Sequence, residues 1–125
     1  MGSIIIGKVV FYYLYELGKS GLNYFFGKPN YKEPVKKILD SLSNNRKFVD
    51  DMSKMINPQR GMDNTTIDKI VKMPLVQSQI SKQVGVKNSN IDKTEIENQL
   101  KTIISKSWND LSSKAIDKVK NDLKK

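Results

Sequence analysis

The chain reads as an all-α protein with an N-terminal hydrophobic helix suited to a membrane, short helices in the middle, and a long C-terminal amphipathic helix. Three observations lead there. Apolar residues between Pro34 and Val84 recur at steps of three and four rather than two. From about Ile91 onward neither glycine nor proline interrupts the chain. No strand pattern, internal repeat or low-complexity run is evident. A length of 125 residues accommodates one small helical body plus an anchor. The expected division is a hydrophobic anchor over 1–27, a basic short-helix body over 28–90, and an amphipathic basic helix over 91–125.

The segment Ile4 to Phe26 holds seven of the ten aromatic residues, and Met1 to Gly27 holds five of the seven glycines. On a helix, Lys8, Tyr12, Glu16, Lys19 and Asn23 fall in one narrow polar stripe, because their spacings are three and four. Gly7, Gly18 and Gly21 gather on another flank with Leu14 and Phe25, where a neighbouring helix could approach closely. Together with Phe11, these are the candidate membrane and helix-packing residues. The length suffices for spanning, since 23 helical residues reach roughly 35 Å against a hydrocarbon core of about 30 Å. Insertion energy is close to balanced. Eleven Ile, Val, Leu and Phe side chains favour the bilayer by roughly 3 to 6 kcal/mol, while Glu16 and Lys19 cost about 2.5 to 3.5 each. Pairing of Glu16 with Lys19 and a polar stripe facing protein would lower that cost. Spanning within an assembly is therefore preferred over lying in the interface or forming a buried core helix.

Gly27-Lys28-Pro29-Asn30 ends this element, and a second helix is expected from Pro34 through Val35, Ile38, Leu39 and Leu42. After Ser43-Asn44-Asn45, a third carries Phe48, Val49, Met52, Met55 and Ile56 up to Asn57-Pro58. Residues 57–63 form a turn. Asn64-Thr65-Thr66 matches a glycosylation sequon, but a helix cap at Asn64 or Thr65 ahead of Ile67, Ile70 and Val71 explains it better. Pro74 kinks or restarts the helix, and residues 85–90 are a linker. In the last helix, Ile96, Leu100, Ile104, Trp108 and Leu111 continue through Ala115, Val119 and Leu123 at three- and four-residue steps. The first five are candidate partner-binding residues, as packing within the domain or docking to a partner would use the same face.

The formal charge is +9, of which Lys8, Glu16 and Lys19 leave +1 in the first segment. A basic body suits acidic lipid or an acidic partner. Only Arg46 and Arg60 are arginine, which disfavours nucleic acid as the partner. Cysteine and histidine are absent, removing the usual nucleophile–base arrangements and the commonest zinc ligands. Asp50-Asp51 and Asp92, Glu95, Glu97 lack calcium-loop spacing and read as solvated or first-turn charges. Gly18-Lys19-Ser20 lacks the earlier glycine of a phosphate loop, Tyr13 standing in its place. Met1-Gly2-Ser3 is followed by Ile6 where myristoylation favours Ser or Thr, and neither a secretory signal nor a transit peptide is expected.

No catalytic residue, metal site or cofactor is expected. The sequence points to a non-catalytic accessory or structural subunit of a large membrane complex, for example one of mitochondrial respiratory type, whose partners are other subunits and the lipid bilayer or an acidic lipid surface. The lysines that follow the anchor place residues 28–125 on the matrix side of the inner membrane. A virion structural or cement protein and a peripheral membrane-binding adaptor are the alternatives. The aromatic-poor body, with only Tyr31, Phe48 and Trp108 after residue 27, suggests a thin core that a partner would complete.

Overall fold

A computed structural model describes residues 3–56, 62–86 and 90–124, with side chains from Ile6 onward in the first helix. Among these residues the regular structure is all helix, with no strand: α1 at Ser3–Ser20, α2 at Lys32–Ser43, α3 at Arg46–Met55, α4 at Asn64–Val71, α5 at Pro74–Val84 and α6 at Lys93–Leu123. Short 3₁₀ turns at Gly21–Tyr24 and Pro29–Tyr31 join α1 to α2. The expected turn at Asn57-Pro58 through Gly61 and the centre of the linker, 87–89, lie outside the described residues, as do Met1 and Gly2.

Local chemistry sets the boundaries. Asn45, Asp63 and Asp92 each accept a hydrogen bond from the backbone N–H three residues on, at 2.8, 2.8 and 2.9 Å, which caps α3, α4 and α6. The α4 cap is thus Asp63, one residue before the expected Asn64. Its carboxylate serves the helix dipole as well as the N–H. Pro74 restarts rather than kinks the helix, occupying the first turn of α5 where its missing N–H costs nothing. Helix α2 begins at Lys32, two residues before Pro34, because the 3₁₀ turn feeds directly into it.

Helix α1 lies at the centre of the packing. It contacts α6 most extensively, then α2 and α3. The pairings Tyr12–Asp122, Glu16–Lys118 and Tyr24–Asp110 run in opposite chain order, so α1 and α6 are antiparallel. One hydrophobic cluster draws on every helix. It includes Val10, Tyr13, Leu14 and Leu17 of α1, Ile38 and Leu39 of α2, Met52 of α3, Ile70 of α4, Ile80 of α5, and Ile96, Leu100 and Ile103 of α6. Anchor, body and C-terminal helix thus share a core, and the aromatic-rich first helix supplies much of what the body lacks. Tyr13 is fully buried, meets Trp108 edge-on at 4.7 Å and shares a 2.9 Å hydrogen bond with Ser107. Burial holds its hydroxyl protonated, pushing the pKa well above the ordinary tyrosine value.

The expectation of a spanning helix finds no support here. Among the described residues no helix is long and apolar enough to cross a membrane. Helix α1 has 18 residues, about 27 Å, because the ladder tightens into a 3₁₀ turn at Gly21 before reaching Phe26. Its apolar face is committed to protein. The glycine flank faces α2 and α3: an added Cβ at Gly18 would lie 2.6 Å from Ser43 Oγ, and one at Gly21 would lie 2.9 Å from Leu39 Cδ1.

Candidate functional site

The polar stripe of α1 does not stay together on the folded surface. Glu16 is only 8% exposed and turns to α6, accepting a 2.8 Å hydrogen bond from Lys118. That partner replaces the Glu16–Lys19 pair expected from sequence. Lys118's hydrogen bond holds the Glu16 carboxyl below its ordinary pKa; desolvation opposes this, and Lys118, Lys19 and Lys114 add favourable charge. Reciprocally, the Lys118 ammonium is raised above its ordinary value. Three lysines therefore act on one carboxylate.

Aromatic rings lie among these cations. Lys118 Nζ sits 5.1 Å from the Tyr15 ring centre and 5.6 Å from that of Tyr12, while Lys19 Nζ sits 5.3 Å from Tyr15. Farther along the α1–α6 seam, Tyr24 donates to Asp110 at 3.2 Å, and Lys106 stands 5.2 Å from the ring of Phe26. Phe11, Tyr15 and Phe26 are 48%, 46% and 71% exposed. Lys19, Lys106 and Lys114 make no ion pair among the described residues. The seam thus presents lysines beside half-exposed rings, an arrangement suited to anions bordering an apolar phase.

The other candidates from sequence divide by burial. Lys8, Phe11 and Lys19 are exposed, Tyr12 and Phe25 are partly buried, and Leu14, Glu16 and Gly21 are buried. Gly7 and Gly18 are partly buried against α3 and α2. Ile96, Leu100, Ile104 and Leu111 lie in the protein's own core, with Trp108 half-buried against Tyr13, so this face of α6 is filled from within. Gly18, Gly21 and the α6 stripe thus serve intramolecular packing, whereas Lys19 and Tyr12 come together with Tyr15, Lys114 and Lys118, which sequence reasoning missed, and Phe26 and Lys106 form a second such pair farther along. A hint existed in the lysine spacing of eight and four along α6, but the rings beside it lie about eighty to just over a hundred residues away in the chain.

No group of three or more acidic residues among the described residues is placed to hold a metal ion. The carboxylate of Glu97 binds Lys72 at 3.0 Å and Gln77 at 3.4 Å. Desolvation pushes its pKa upward, but these hydrogen bonds and nearby lysine charge outweigh that and leave it lowered. It links α4, α5 and α6 structurally. Comparison with protein-family models, curated proteins and solved structures finds no match.

Proposed function

We propose that the chain is a non-catalytic accessory subunit that joins a membrane-borne assembly peripherally, its α1–α6 seam resting on anionic lipid headgroups. The observation that carries this reading is the pairing of exposed rings with lysines, at Tyr15 with Lys19 and with Lys118 of the Glu16 bridge and at Phe26 with Lys106, where Lys19 and Lys106 make no ion pair among the described residues. Rings at the headgroup level and ammonium groups on lipid phosphate are energetically compatible, each surface lysine contributing about 1 kcal/mol near an anionic leaflet. The membrane placement inherited from the sequence accordingly becomes one on the bilayer surface. The matrix face of the mitochondrial inner membrane is the proposed leaflet.

Sedimentation with vesicles tests this directly. The protein should pellet with phosphatidylserine-containing vesicles and not with neutral phosphatidylcholine. Replacing Lys19, Lys106 and Lys114 by glutamine leaves the Glu16–Lys118 bridge intact and should weaken binding on the order of a hundredfold. Equal binding to neutral and anionic vesicles, or none to either, would rule the proposal out.

A further inference from the structure

A second surface, over the N-terminal half of α1, has a different shape and chemistry. There α1 forms the floor of a groove of 870 Å³, bounded by the end of α2 and by α3 on one side and by Asp122 of α6 on the other. The floor is low at Gly7, where an added Cβ would meet nothing nearer than Ser53 Oγ at 3.9 Å. Phe11 offers an apolar contact along it, 48% exposed, edge-on to Tyr12 at 5.6 Å.

Charge decides the occupant. Lys8, Arg46 and Lys54 line the groove and make no ion pair among the described residues. Its two acids are Asp50 and Asp122, the latter accepting a 2.6 Å hydrogen bond from Tyr12, so the lining keeps three cations against two carboxylates and stays net positive. We infer that this groove is a docking site for an acidic amphipathic helical segment of a partner protein, which lays an apolar edge on Gly7 and Phe11 and its carboxylates against Lys8, Arg46 and Lys54. A bilayer surface reaches convex ground more readily than a recessed floor, and a second copy of a chain carrying +9 is repelled. The inference is independent of the lipid reading of the seam, since the Lys19, Lys106 and Lys114 cations lie outside the groove.

The test uses the full chain and a fluorescein-labelled amphipathic peptide with leucine on one face and glutamate on the other, followed by anisotropy. The peptide should bind, and its lysine-for-glutamate counterpart should not. Arg46→Glu together with Lys54→Glu should weaken binding by at least about tenfold. Gly7→Leu, which fills the floor without altering charge, should do the same while leaving circular dichroism and vesicle sedimentation unchanged. Peptide binding that survives both variants overturns the inference. Displacement of bound peptide by phosphatidylserine vesicles would assign the groove to lipid, and a concentration-dependent dimer abolished by Gly7→Leu would assign it to self-association; either result overturns it. Retention of the peptide on vesicle-bound protein supports it.

Discussion

Two glycines at opposite ends of the first helix should respond to the same added methyl group with opposite sign. At Gly7 the new Cβ meets only Ser53 Oγ at 3.9 Å, an ordinary contact. Alanine there gains helix propensity and restricts the unfolded chain, a stabilisation of about 0.5 to 1 kcal/mol. At Gly21 the Cβ falls 2.9 Å from Leu39 Cδ1 and 3.2 Å from Leu17 Cδ1, and both leucines are buried to within a few per cent. Neither leucine can turn into solvent, so overpacking should cost about 1 to 3 kcal/mol. Urea denaturation followed by circular dichroism should separate the variants by about 1.5 to 4 kcal/mol, with wild type between them. If α1 were not seated on α2, the added Cβ at Gly21 would lose Leu39, its nearest neighbour. Equal stabilisation by Gly7→Ala and Gly21→Ala would therefore refute the packing of this helix against Leu39.

Acid sensitivity should be carried in part by Glu16 and Glu97. Both carboxyls are depressed below their ordinary value of 4.5, so their stabilisation is fully present above that pH and is lost as pH falls through the lower folded values. Glu16→Gln should flatten this part of the stability profile, and a profile identical to wild type would contradict the Lys118 bridge. Tyr13→Phe keeps the ring on Trp108 but leaves the buried Ser107 hydroxyl only a 3.4 Å contact to the Ile104 carbonyl, and should cost about 1 kcal/mol in a thermal melt. Deleting residues 1–26 removes Val10, Tyr13, Leu14 and Leu17 from the core and should abolish cooperative unfolding. A sharp transition in the truncated chain would show that α1 is dispensable to the body.

The helical class and most helix limits were legible because they depend on near neighbours. Apolar steps of three and four, the break at Ser43-Asn44-Asn45, and Pro74 at the head of α5 act within one or two turns, whereas the Asp92 cap was read only as a first-turn charge. The fate of α1 was not legible in the same way. A face rich in Ile, Val, Leu and Phe can be satisfied by lipid tails or by protein side chains, and only tertiary partners distinguish them. Glu16 looks expensive until Lys118, 102 positions later, is placed beside it. The elements that approach Gly18 and Gly21, at Ser43 and Leu39, belong to the body of the same chain. The same long-range closure turned the Ile96–Leu111 stripe inward and assembled the seam cations around rings from the opposite end of the chain.

Extraction of vesicle-bound protein with molar salt and with alkaline carbonate most directly tests peripheral attachment by a helix whose apolar face is occupied at home. Lysine–headgroup contacts are screened by salt, and alkaline pH partly discharges the ammonium groups, whereas an inserted helix is held by its buried apolar surface. Release of protein into the supernatant under both treatments, with the circular dichroism of the free chain recovered on return to neutral low-salt buffer, is the predicted result. Retention in the carbonate-washed pellet would contradict it and place α1 within the bilayer.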